Sequence, residues 1–180
     1  GYCIGGPLMA AVLAYMAATE DDRISAVTFF AAQVDFAKAG ELLIFTDEAQ
    51  ISMLEREVKD IGYLDGAKMA ATFNALRAND LIWYFVINNY LMGKEPPVFD
   101  LLYWNSDSTR FPYRMLFEYL RNLYQENSLS KPGGFELMGE QLDLRNIKIP
   151  TYILASKEDH IAPADSVFEA TKLYAGQNRF

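Results

Sequence analysis

The sequence predicts an α/β protein whose core is interrupted by a mostly helical insertion, and three observations carry that reading. Gly1-Tyr2-Cys3-Ile4-Gly5-Gly6 is a glycine-flanked turn, followed by an apolar helical stretch and then a β-branched and aromatic run. From residue 36 to residue 149 the patterning becomes mostly helical. At Thr151 an apolar strand, a polar loop and a helix restore the α/β alternation. Residues 1–35 and 150–180 are therefore expected to form parts of the core, and residues 36–149 a cap-like insertion of domain size.

Composition narrows the class without naming a function. A chain of 180 residues is long enough for one domain with a real core, and 51% hydrophobic against 22% charged residues excludes intrinsic disorder. The single Cys excludes a disulfide framework and a Cys-rich zinc site, and suits a reducing, cytoplasmic compartment. One His argues against a histidine metal centre, so no metal is expected. A net charge of -8 argues against nucleic acid, whose phosphates need clustered Lys and Arg.

Taken in order, residues 7–18 predict a helix that is apolar on every side and so covered on several faces. Pro7 suits its first turn, where a missing N–H costs nothing. No basic region precedes this stretch and it is too short to span a bilayer, so neither a signal peptide nor a membrane span is expected. Residues 24–30 read as a buried strand. Residues 47–60 form an amphipathic helix capped by Thr46 or Asp47, and residues 65–78 a second. Residues 81–91 leave helix and strand both open, and Glu95-Pro96-Pro97 ends them. A third helix covers residues 113–126, and residues 135–149 have room for a short hairpin. The strand at 151–155 leads into the loop Ser156-Lys157-Glu158-Asp159-His160 and a helix over 163–174. Gly1 has no strand before it, and Gln177-Asn178-Arg179-Phe180 reads as the start of another. The sequence thus reads as an internal segment of a larger protein.

Gly1, Cys3 and Gly5 fit a nucleophile elbow, a sharp strand-to-helix turn that exposes its reactive side chain. A helix N-terminus favours thiolate over thiol, and the Ile4 backbone N–H is placed to meet a developing oxyanion. The plainer alternative is a buried, inert Cys. In an elbow fold the acid follows the nucleophile and sits just beyond a strand, where Asp159 falls; the alternative there is a solvated loop carboxylate. His160 is adjacent to that acid and poorly placed to bridge it to a distant nucleophile. It reads as a structural or supporting residue, with the catalytic His expected after Phe180.

With these residues in place, the sequence resembles the polyhydroxyalkanoate synthases, specifically class I. The motifs are Gly1-Tyr2-Cys3-Ile4-Gly5-Gly6, Asn79-Asp80-Leu81-Ile82-Trp83, the long run Phe99-Asp100-Leu101-Leu102-Tyr103-Trp104-Asn105-Ser106-Asp107-Ser108-Thr109-Arg110, and Glu158-Asp159-His160-Ile161-Ala162-Pro163. The resemblance implies an α/β-hydrolase core with a helical cap inserted before the acid strand, and a Cys-His-Asp triad. It makes Cys3 the acylated nucleophile and Asp159 the acid of an acyltransferase that polymerises 3-hydroxyacyl-CoA, 3-hydroxybutyryl-CoA above all, with release of coenzyme A.

Coenzyme A then arrives as part of the substrate and no separate cofactor is implied. A homodimer and a place on the polymer granule surface are implied as well, as is inactivity of these 180 residues alone. Trp104 lines the substrate or polymer path, or is a core tryptophan under the cap. Arg110, Arg114 and Arg121 are candidates for the anionic coenzyme, or ordinary solvated arginines. Two rival readings are a Cys-dependent hydrolase of the dienelactone type, whose compact fold does not suit the long span from Cys3 to Asp159, and a granule-coating protein without catalysis.

Overall fold

The computed structural model describes residues 1–96, 98 and 100–180, those at 102, 105 and 106 by their backbone alone. Pro97 of the expected break and Phe99 of the long motif lie outside the described residues. The chain divides into two compact units, Gly1–Ile51 with Glu118–Phe180, and Ser52–Phe117. A unit defined by packing and an insertion defined by chain order are different divisions. The second unit falls inside the 36–149 insertion and is smaller than it.

In the first unit, helix α1 spans Gly5–Ala18 and strand β1 spans Val27–Phe30. Pro7 stands in the first turn of α1, among the N–H groups that have no intrahelical partner. Helix α2, Glu48–Val58, begins in this unit; Asp47 caps it by accepting from the Ala49 and Gln50 N–H groups at 3.0 and 3.1 Å.

The second unit carries β2 (Tyr63–Leu64), α3 (Gly66–Leu76), α4 (Asp100–Ser106), β3 (Phe111–Pro112) and the start of α5 (Tyr113–Glu118). Asp65 caps α3 by accepting from the Ala67 N–H, and β2 pairs antiparallel with β3. Residues 81–91, left open by the sequence, are helical, with wide π turns at Asn79–Trp83 and Val86–Leu91. The Tyr113 hydroxyl donates to Glu55 at 2.6 Å beside a small core of Val58, Leu64, Leu116 and Phe117.

Back in the first unit, the expected third helix continues as a π turn over Tyr119–Gln125. The expected hairpin is β4 (Phe135–Leu137) with β5 (Glu140–Leu142), which packs on α1. Strand β6 is Thr151–Leu154, and the helix expected at 163–174 is two short ones, α6 (Ala164–Phe168) and α7 (Ala170–Leu173), separated at Glu169. Strand β7 is Asn178–Arg179.

β1, β6 and β7 form a parallel sheet in that order, with Val27 opposite Thr151 and Thr151 opposite Asn178. Tyr2 makes a single parallel bridge to Phe30 on the other edge of β1. One hydrophobic cluster joins Ala10, Leu13 and Ala14 of α1 to Phe29 and Ile153 of the sheet and to Leu142, Val167 and Tyr174. The strand expected to be buried, β1, instead alternates, and β6 does the same: Val27, Phe29, Thr151 and Ile153 are buried, while Phe30, Tyr152 and Leu154 are exposed. Only one face of β1 and β6 is buried among the described residues, so a run apolar enough for two covered faces shows a period of two. Among the described residues no helix is long and apolar enough to cross a membrane.

The close approach of α1 to the segment after β1 depends on Gly6. A Cβ there would stand 2.1 Å from the Ala32 Cβ, whereas one on Gly5 would meet nothing within 4 Å. Gly6→Ala should therefore cost about 1–3 kcal/mol in urea unfolding through overpacking. Gly5→Ala should be neutral or stabilising by up to about 1 kcal/mol. Equal effects at both positions would contradict this packing.

Candidate active site

Residues 1–2 run parallel to β1, the Phe30 N–H donating to the Gly1 carbonyl at 2.9 Å and the Cys3 N–H to the Phe30 carbonyl at 3.1 Å. The chain then reverses. Gly5 N–H donates to the Tyr2 carbonyl and Gly6 N–H to the Cys3 carbonyl, both at 2.8 Å, and α1 begins. At the turn Cys3 has φ +48°, the left-handed region that an L-residue enters only at a cost. That strained, non-glycine corner between an extended segment and a helix is the geometry of a nucleophile elbow. Gly1 is sterically needed, since a Cβ would lie 2.7 Å from the Gly5 carbonyl oxygen. Of the two glycines after Cys3, it is Gly6 and not Gly5 that the close approach requires.

Cys3 is exposed. Its thiol is nonetheless raised above the ordinary cysteine value, first because protein displaces water around the sulfur. A hydrogen bond from the Ile4 N–H pulls the other way, and the Asp159 carboxylate adds to the rise. The helix-terminal N–H expected to favour the thiolate is present, but desolvation outweighs it. In the resting state the Ile4 N–H is directed to the sulfur itself.

Asp159 lies in the loop after β6, partly buried. Its Oδ1 accepts from the Ile161 and Ala162 N–H groups, both at 2.9 Å, which fixes the carboxylate within its own turn. The structure thus brings Cys3, Ile4 and Asp159 to one edge of the first unit, with Asp159 close enough for its charge to act on the sulfur. His160 is half-buried and contributes its backbone: its carbonyl accepts from the Glu41 N–H at 2.8 Å. Trp104 belongs to the second unit, where it is 63% exposed on α4, so it is no core tryptophan of that unit. Arg110 lies over the Tyr63 ring at 4.4 Å and near Asp65, and Arg121 pairs with Glu48 at 3.2 Å.

Sequence reasoning missed a pair of tyrosines beside the sulfur. Tyr119 and Tyr124 are five residues apart in the π turn, a spacing that a wide turn brings onto one side, and their rings meet edge-on at 5.5 Å. Both pack on Phe36, at 5.9 and 4.8 Å. The hydroxyls share a hydrogen bond, and that of Tyr124 also bonds the Gln33 side chain. Burial, with a further contribution from Cys3, pushes Tyr124 up to about 12 and Tyr119 higher still. These phenols are neutral dipoles near the sulfur at any working pH. The cavity of about 690 Å³ lined by Leu13, Met16, Asp21 and Lys148 is elsewhere, toward the far end of α1, more than two helical turns from Cys3.

The arrangement can present a thiol to an electrophilic carbonyl, and the chain as a whole is similar in sequence to known proteins. The profile of the alpha/beta hydrolase fold matches residues 1–176. The chain is 54% identical over 180 residues, all of its own length and 29% of the relative's, to the poly(3-hydroxyalkanoate) polymerase subunit PhaC of Rhizobium meliloti (strain 1021). It is 52% identical over 177 residues, 98% of its length and 29% of the relative's, to the poly(3-hydroxyalkanoate) polymerase of Methylorubrum extorquens. To the PhaC subunit of Cupriavidus necator it is 39% identical over 185 residues, covering all of this chain and 31% of that one. The chain therefore spans about three-tenths of the length of these curated relatives.

Asp159→Asn keeps an oxygen for the Ile161 and Ala162 N–H groups and removes only the charge. Without that charge the thiol should ionise more readily. Iodoacetamide should then alkylate the Cys3 peptide faster at pH 7, because more of the sulfur is thiolate. An unchanged or slower rate would show that the carboxylate does not act on the sulfur.

Proposed function

We propose, because this chain belongs to the α/β-hydrolase fold family and carries an elbow cysteine, that it is the catalytic segment of a poly(3-hydroxyalkanoate) polymerase. The observation that carries the reading is similarity to such polymerases along the whole chain, which includes the left-handed Cys3 turn. The substrate is a 3-hydroxyacyl-CoA, 3-hydroxybutyryl-CoA in the first instance, and coenzyme A enters as the leaving group and not as a cofactor. Cys3 is the nucleophile, the Ile4 N–H a donor to the oxyanion, and Asp159 the acid that orients a general-base histidine supplied by the remaining length of the polymerase.

The chemistry follows from a thiol that rests protonated. As the base takes the S–H proton, sulfur attacks the thioester carbonyl carbon; the carbon–sulfur bond to coenzyme A breaks, and coenzyme A leaves with that proton as a free thiol. The 3-hydroxyl of another hydroxyacyl group then attacks the Cys3 thioester, giving up its proton to the base. An ester forms and the Cys3 thiol is regenerated. Exchange between thioesters is nearly balanced in energy, so the acyl group stays reactive. Water must be excluded or the intermediate hydrolyses. The aromatic stretch of residues 81–104, Trp104 included, is assigned to the cap that does this and to the path of a greasy product. Residence at the polymer granule surface, within the cytoplasm, and a homodimer belong to the same proposal.

The test uses the full-length protein carrying this segment, supplied with 3-hydroxybutyryl-CoA. Polymer and free coenzyme A should form together, and Cys3→Ala should lower both by at least about a thousandfold. Release of free 3-hydroxybutyrate in place of polymer would establish a hydrolase of the dienelactone type. Polymer formation that survives Cys3→Ala would remove Cys3 from the mechanism.

A further inference from the structure

β1 and β6 are parallel neighbours, so the segments after them leave the sheet side by side: residues 31–41 after β1, and residues 155–163, with Asp159, after β6. The two segments are clasped. Gly40 N–H donates to the Ile161 carbonyl at 3.3 Å and Glu41 N–H to the His160 carbonyl at 2.8 Å. A Cβ on Gly40 would lie 1.9 Å from the His160 carbonyl oxygen, so this contact admits only glycine.

A second set of contacts comes from side chains and is buried. The Ser166 hydroxyl, with no exposed surface, lies 2.9 Å from Gln33 Oε1 and 2.8 Å from the Asp35 carbonyl, which share its one proton. Gln33 is 5% exposed, and its Nε2 reaches the Ile161 carbonyl at 3.5 Å. Ile161 is the joint: its carbonyl is held by Gly40 and Gln33 while its N–H holds the Asp159 carboxylate at 2.9 Å. The same Gln33 side chain bonds Tyr124, whose partner Tyr119 is also close to the sulfur. A polar side chain this buried is costly unless its bonds are made, and here Gln33 is held by Ser166 of α6 while its other bonds reach the acid segment at Ile161 and the tyrosine pair at Tyr124.

We propose that Gln33, held by Ser166, is a positioning residue that sets Asp159 relative to Cys3. The inference rests on Asp159 being the carboxylate of the site. Its consequence is that Gln33 acts on the sulfur through Asp159 and not through its other partner, Tyr124. Without the amide, the acid segment relaxes into solvent and water screens the carboxylate from the thiol.

The experiment is a double-mutant cycle read by iodoacetamide alkylation of the Cys3 peptide across pH, resolved by mass spectrometry. Gln33→Met keeps the volume and removes both polar atoms. It should raise the alkylation rate at pH 7 about twofold, and in the Asp159→Asn background it should raise it no further. Ser166→Ala, which removes one oxygen atom, should act in the same direction and vanish in the same background; it carries the test should Gln33→Met not fold. An unchanged rate in both single variants, or a change that persists at equal size with Asp159→Asn, overturns the proposal. The assay needs no polymer synthesis, so a failed cycle leaves the polymerase reading untouched. Failure of that reading would show instead as polymer made without Cys3.

Discussion

The parallel pairing of β1 with β6, extended on the other side by the bridge from Tyr2 to Phe30, is the constraint on which the site depends. Parallel strands end on the same side of a sheet, and the loops leaving their ends emerge there together. The turn at Cys3, the segment with Gln33 and Gly40, and the loop with Asp159 are brought to one place by that pairing. A one-residue slip of β6 along β1 would turn Ile153 out of the core and carry the acid loop away from the sulfur.

Within that frame the surroundings of the sulfur oppose its ionisation. A helix start and the Ile4 N–H favour the anion, but water displacement and the Asp159 charge favour the thiol more. A nucleophile of this kind does not act alone. It needs a base to take its proton as the carbonyl carbon is attacked, and it is protected from adventitious alkylation and oxidation in the meantime. The buried Tyr119 and Tyr124 fit the same logic, because neutral phenols solvate a site without adding a negative charge beside a forming thiolate.

Much of this was legible in the sequence where the signal was local. The elbow string around Cys3, the strand before Asp159 and the Asp47 cap each announce themselves within a few residues. The features that the sequence hides are set by distant partners. Gly40 looks like any loop glycine until His160 closes against it, and Gln33 and Ile161 are 128 positions apart. The tyrosine pair was invisible because a helix read at the α period separates residues 119 and 124, and only the π turn brings them together. The helix-terminus argument fell short at the thiol for a like reason: the packing that displaces water from the sulfur, and the Asp159 carboxylate after it, come from distant parts of the chain. The alternation in β1 and β6 depends on which sheet face is buried, and an apolar run does not encode that.

The central claim is that the sulfur of Cys3 carries the acyl group, and direct observation of that bond is the sharpest check. Full-length protein quenched in acid within a few turnovers of 3-hydroxybutyryl-CoA, then digested and weighed, should yield the Cys3 peptide bearing one or more hydroxybutyryl residues, removable by hydroxylamine as a thioester is. A Cys3 peptide that keeps its unmodified mass while coenzyme A is released, or an acyl group found on another side chain, would contradict the account.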